Sequence, residues 1–147
     1  MKPMYAVALA FFAFLIAGAT VSLGQDTTAK RDGVFVHVSH CTDDPHRLLM
    51  ALSMATKMAD DHDVLVYFDI KGVDAVVKDA VEVTFAQFPP LSVQLDELRR
   101  RNVTLMACPG CLKSAGKSAA DLVAGVQVAD KEKFFSFTAG RILTLDY

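Results

Sequence analysis

The sequence predicts an α/β domain built on a mostly parallel, five-stranded sheet. Three observations predict it: short apolar runs alternate with amphipathic stretches, the runs are rich in β-branched and aromatic residues, and no repeat or low-complexity stretch interrupts them. The first strand is read at 34–40, Val-Phe-Val-His-Val-Ser-His. Asp44-Pro45 then supplies an N-cap and a proline preset for a first helical turn, and Leu48, Leu52, Ala55 and Ala59 recur at helical spacing. The second strand, 64–70, is nearly continuous in β-formers, as a strand buried on both faces should be. A loop is expected over 80–90, where Phe85 and Phe88 precede a double proline and are available to another subunit. Leu91, Leu95 and Leu98 mark the next helix, with Arg99-Arg100-Arg101 in its last turn, where cations suit the helix dipole. The third strand is 103–107. Ser118 and Asp121 form a capping pair, 126–128 is a fourth strand, and Asp130 caps a segment whose Phe134, Phe135 and Phe137 are expected in the core. A fifth strand at 141–147 completes the set, and a flavodoxin-like order 2-1-3-4-5 is the expected topology.

The composition separates an export segment from this domain. Of the first 24 residues 18 are apolar, with one charge at Lys2, an uncharged stretch from Met4 to Leu23, and Ser22 and Gly24 at the −3 and −1 positions of a cut. This is the layout of a signal peptide over 1–24, with a membrane anchor as the alternative because about 20 apolar residues span a bilayer. A polar tether follows over 25–32, and the domain occupies 33–147. The protein is therefore expected in the periplasm or otherwise exported, at a membrane only if the segment is uncleaved. The whole chain of 147 residues carries a net charge of −2, which gives no footprint for nucleic acid. Three cysteines cannot staple a disulfide-dense mini-protein. No glycine-rich phosphate loop is present, no cofactor is expected, and no acid/base dyad is recognisable.

The cysteines carry the chemistry. In a parallel sheet functional groups gather at the carboxyl ends of the strands, and all three cysteines fall there. Cys41 follows strand one, and Cys108-Pro109-Gly110-Cys111 follows strand three and opens a helix. Unpaired N–H groups at a helix start stabilise thiolate over thiol. Cys108, in the loop, is the expected nucleophile, and Cys111, one turn inside, is the resolving thiol. The expected strand order also brings Cys41 toward this pair. Two alternatives stay open: a static Cys108–Cys111 disulfide in a structural oligomer, and a zinc or copper or small-ligand module using Cys108, Cys111 and either Cys41 or His40. His40 and Cys41 are consecutive on an extended segment, so only one of them joins a common site unless the chain turns. His37 is read as polar packing, and His46 and His62 as solvated.

The segment Ala107-Cys108-Pro109-Gly110-Cys111-Leu112-Lys113-Ser114-Ala115-Gly116, followed by Asp121-Leu122-Val123-Ala124-Gly125-Val126, resembles the DsrE/DsrF family of sulfur relay proteins, which includes the YchN-like proteins. The likeness extends over most of the domain, to the phenylalanine-rich helix leading to Gly140 and Arg141-Ile142-Leu143-Thr144. In that family a strand-end cysteine with a glycine eight residues later accepts sulfur, and Cys108 and Gly116 match this spacing. The resemblance implies a three-layer α/β/α fold, a trimer or hexamer with the cysteine near subunit contacts, and a persulfide on Cys108. Its partner would be a small sulfur species or a sulfur donor or acceptor protein. Export and the second cysteine distinguish this chain from the best-known members.

Overall fold

The computed structural model describes residues 30–147. The export segment and the start of the tether lie outside the described residues. Five strands, β1 (Gly33–Val38), β2 (Asp63–Phe68), β3 (Thr104–Ala107), β4 (Val126–Val128) and β5 (Ile142–Asp146), form one sheet. Every pairing between them is parallel. The connections carry α1 (Pro45–Met58), α2 (Leu91–Arg100), α3 (Pro109–Ser114) and α4 (Lys131–Phe135), with 3-10 segments at Gly72–Val76 and Ala119–Asp121. Among the described residues no helix is long and apolar enough to cross a membrane.

The strand order is β4-β3-β2-β1-β5, which corrects the expected 2-1-3-4-5. Each of the first three connections steps one strand in the same direction, so β2 lies between β1 and β3, and the chain reverses once, from β4 to β5. The physical reason lies in β2, whose three consecutive buried residues Val64, Leu65 and Val66 suit an interior position and leave the edges to β4 and β5. Reversal therefore falls between β1 and β5, two strands away from the end of β3. Right-handed crossovers put α1 and α2 on one face of the sheet and the β4–β5 connection on the other.

The two faces are covered unequally. Val34, Val36 and Val38 of β1 are fully buried with Leu48, Leu52 and Ala55 of α1 in the core. Phe35, His37 and Tyr67, pointing the other way, are only half-buried because α4 is one short helix. Phe134 of α4 meets Phe35 and Tyr67 at ring centroid distances of 5.1 and 5.2 Å. Phe135, expected in the core, is instead 64% exposed.

Local signals act as the sequence implies. Asp44 accepts from the Arg47 N–H at 3.1 Å, Asp130 from Lys133 N–H at 2.9 Å, and Ser118 and Asp121 form a capping box. The arginines close α2 through ion pairs: Arg99 with Asp96, Arg100 with Glu97, and Arg101 with Glu97 and Asp60. The 80–90 loop folds back on its own chain. Phe85 stacks on His46 with centroids 4.9 Å apart, and His46 stays exposed as expected while carrying this aromatic contact.

Candidate functional site

The site lies at the carboxyl ends of β2 and β3. The Cys108 N–H donates to the Phe68 carbonyl at 2.9 Å, which extends the β2–β3 pairing up to the nucleophile. The chain then turns into α3 with Pro109 in its first turn, and Cys108 becomes the N-cap. Its Sγ accepts the Cys111 N–H at 3.3 Å. A Cβ on Gly110 would stand 3.9 Å from that sulfur, at ordinary contact distance. Leu112 is buried and pins α3 to the core. Gly116, at φ +69°, ends the helix: its N–H donates to Lys113 O at 3.0 Å and the Lys117 N–H to Leu112 O at 2.8 Å, a Schellman motif. Nothing lies within 4 Å of a Cβ built there, so left-handed backbone is what Gly116 supplies.

The two thiols of this turn are electrostatically unlike. Burial pushes the Cys108 thiol up, but hydrogen bonds from the Cys111 side chain, the Tyr67 hydroxyl and the backbone of Cys111 and Gly110 outweigh it and hold Cys108 below the ordinary cysteine value. Cys111 is pushed the other way by burial, by the Cys108 thiolate and by the charge of Asp69. Burial also raises the Tyr67 hydroxyl above its usual range, so it stays protonated and donates. All three cysteines are free thiols.

Both cysteines of the turn open on a cleft of about 600 Å³, whose other walls include Ile70, Lys71, Asp74 and Ser114. Ile70 has φ +46° and is 65% exposed. A β-branched residue in the left-handed region is strained, at about 1–2 kcal/mol. Three contacts hold it: Lys71 N–H to Ser39 O at 3.2 Å, Gly72 N–H to Asp69 O at 2.6 Å, and Gly72 pressed on β1, where a Cβ would stand 2.1 Å from Val38 O.

Cys41 is not brought into this cleft. It is 2% exposed, and burial pushes its thiol up to about 11, an inert state. It borders a separate hollow of about 230 Å³ with Thr42 and Lys117, of which Asp74 is the shared wall. The neighbouring strand expected to join Cys41 to Cys108 is β2 instead of β1. His40 turns to Asp43, Nδ1 to Oδ2 at 2.7 Å, and Asp43 also accepts the Cys41 N–H at 2.8 Å. Among the described residues no three His, Cys, Asp or Glu side chains converge as a metal set.

His37 sits behind the site between two carboxylates. Nδ1 is 2.6 Å from Asp146 Oδ1. Nε2 is 2.9 Å from Asp69 Oδ1, off the line of a well-formed hydrogen bond, and that buried oxygen has no other partner. Burial lowers the His37 pKa, but Asp69 and then Asp146 outweigh it, and the net shift is upward from 6.5. A raised folded-state pKa contributes stability that is fully present below the unfolded value and is lost as pH rises through the folded value. The stability advantage of wild type over His37→Gln is therefore expected to shrink as pH climbs above 6.5, read by urea denaturation across that range. An advantage that is flat or grows with pH contradicts the clamp.

Sequence reasoning missed Tyr67, Ile70, Lys71 and Asp74. Tyr67 was readable only as a strand residue, and its alternation with Phe68 is the one signal that places it on the Cys108 side of the sheet.

A model of the DsrE/DsrF-like family matches residues 32–139. The fold is similar to the crystal structure of the ychN protein from E. coli, at 16% identity and TM-score 0.59, covering 79% of this chain and 99% of that one. It is also similar to MTH1491 from Methanobacterium thermoautotrophicum, a protein of unknown function, at 22% identity and TM-score 0.58, covering 79% and 100%. No curated protein matches the sequence. With the family model spanning most of the domain and the fold agreeing with it, the chain belongs to the DsrE/DsrF-like family.

Proposed function

We propose that the protein handles sulfane sulfur through Cys108, which accepts it as a persulfide, with Cys111 as the resolving thiol. One observation carries the reading: the Cys108 sulfur faces an open cleft while accepting the Cys111 N–H, so its anionic form is held ready at an accessible position. Attack by the Cys108 thiolate on a sulfane sulfur breaks the donor's S–S bond, forms a new one at Sγ, and releases the donor's remaining sulfur as thiolate or sulfide. Attack by Cys111 on Cys108 Sγ then releases sulfide and leaves a Cys108–Cys111 disulfide, which an external dithiol must reduce. The raised Cys111 pKa supports a thiol that waits until Cys108 has been loaded and its negative charge has moved outward.

The apolar segment over 4–23 supports export to the periplasm. The thinly covered sheet face, with Phe135 at 64% and Ile142 at 47% exposed, and the open edge strand β5, where Leu143 is 59% exposed, support assembly with further copies of the chain.

Exposing the fully reduced protein to inorganic polysulfide, followed by whole-protein mass spectrometry, tests the reading. Wild type is expected to end as the disulfide with sulfide released, Cys111→Ala to hold one added sulfur, and Cys108→Ala to stay unmodified. Sulfur uptake by Cys108→Ala equal to that of Cys111→Ala would sink it.

A further inference from the structure

The cleft before Cys108 has walls whose charges are unspent. Lys71 and Asp74 line it one 3-10 turn apart, with the Asp74 N–H donating to Lys71 O at 3.1 Å. Residues three apart in a 3-10 helix stand one above the other. Neither side chain makes an ion pair among the described residues, whereas nearby Lys117 is held by Asp79 at 2.5 Å and Lys78 by the Ala120 carbonyl at 2.6 Å. A cation and an anion are thus presented side by side in the same cleft as the sulfur acceptor. Between them and β2, the strained turn puts the Ile70 side chain out at the mouth, although burial would be expected for such a residue.

The dimensions select a small ligand. About 600 Å³ falls in the range of clefts that enclose small molecules. A docked protein surface would need a far wider contact area. The ligand that matches a paired ammonium and carboxylate is a zwitterion, and the one that matches Cys108 carries a sulfane sulfur.

We propose that the donor is a low-molecular-weight amino-acid persulfide of the cysteine type, its α-carboxylate on Lys71, its α-ammonium on Asp74 and its carbon stem against Ile70. The proposal rests on Cys108 as sulfur acceptor and names the donor class. The Cys108 thiolate attacks the terminal sulfur of R–S–SH, the bond between the two donor sulfurs breaks, and the new Sγ–S bond forms. The amino-acid thiolate leaves and takes its proton from water, and the transferred sulfur keeps its own proton, so no oxidant or reductant is consumed. Holding the donor by both charged groups places its S–S bond at the nucleophile, which is where binding energy from a non-reacting part of a substrate is used.

S-methylcysteine, which has the zwitterion and the stem but no sulfur to give, is the probe. Alkylation of Cys108 by iodoacetamide is followed by mass spectrometry on the full reduced chain, with and without the probe. At saturation S-methylcysteine is expected to slow alkylation of wild type at least about fivefold, through two charge-assisted contacts. Propionate or methylamine, each with one of the two charges, is expected to protect far less. Lys71→Gln and Asp74→Asn are each expected to lose the protection ratio measured within that variant. No protection in wild type, or equal protection in both variants, overturns the proposal. Protection does not require sulfur transfer, so the two readings fail separately. Sulfur uptake by Cys108 without protection removes the zwitterionic donor and leaves the acceptor. Protection without sulfur uptake removes the acceptor reading and leaves the zwitterion site.

Discussion

Replacing Cys108 with serine is expected to slow the alkylation of the reduced protein at neutral pH by about tenfold or more. Reaction follows the thiolate, and each unit of pKa near neutrality is worth about a factor of ten in thiolate fraction. The other two sulfurs are poorly placed to replace it. Cys41 is buried with its thiol pushed up to about 11, and Cys111 is raised by burial and by the charges of Cys108 and Asp69. Cys111→Ser should keep the fast reaction, because the N–H that reaches the Cys108 sulfur at 3.3 Å belongs to the backbone and survives the change, and the serine hydroxyl donates in place of the Cys111 thiol. Tyr67→Phe removes one donor to the thiolate and should shift the pH profile of alkylation upward without abolishing the reaction. The measurement is the rate of iodoacetamide labelling against pH for the four proteins. A fast reaction retained in Cys108→Ser and lost in Cys111→Ser would reverse the assignment of roles.

Gly72→Ala is expected to cost about 2–3 kcal/mol of unfolding free energy, the scale of overpacking at a rigid contact. The new Cβ would stand 2.1 Å from Val38 O and 2.9 Å from the carbonyl carbon. Neither atom is free to withdraw, since Val38 O accepts the Asp69 N–H at 3.1 Å and β1 lies inside the sheet between β2 and β5. The strain therefore passes into the 69–72 turn, which carries Ile70 and the backbone that approaches the Cys111 sulfur. Urea denaturation should show the lower stability, and Cys108 chemistry should slow in the same variant while it is still folded. Wild-type stability would mean that the turn does not press on β1 as described.

Much of the fold was legible because its signals are local. The caps at Asp44, Ser118 and Asp130 and the leucine spacing of α2 each depend on residues within a turn of one another, and each is found. Strand order was not legible, since an apolar run specifies a strand without naming its neighbour. Strand order matters at the site: β1 beside β3 would draw Cys41 toward Cys108, whereas β2 separates their strands and Cys41 is buried beside another hollow. An apolar residue type alone points Phe135 to the core, but a five-residue helix turns only part of its surface inward.

The site divides along the same line. Cys108 could be read from a C-x-x-C after a strand, because chain direction alone puts a residue at a strand's carboxyl end and a following helix start. Gly116 could be read as well, although what it supplies is the left-handed backbone that closes α3. Tyr67 and His37 reach the site through sheet pairing, with β1 and β2 in register from Gly33 and Asp63 onward, and no short-range pattern encodes that register. Ile70 could not be anticipated at all. Nothing in Asp69-Ile70-Lys71 favours positive φ, and the conformation is imposed from outside by Gly72 against β1.

The most direct test is to locate the sulfur. Cys111→Ala, reduced and then treated with a sulfane-sulfur donor, cannot resolve a persulfide on Cys108, so fragmentation of its peptides should find the added sulfur on Cys108 and none on Cys41. Added sulfur on Cys41, or an unmodified Cys108 under conditions where the thiol is alkylated readily, would contradict Cys108 as the acceptor.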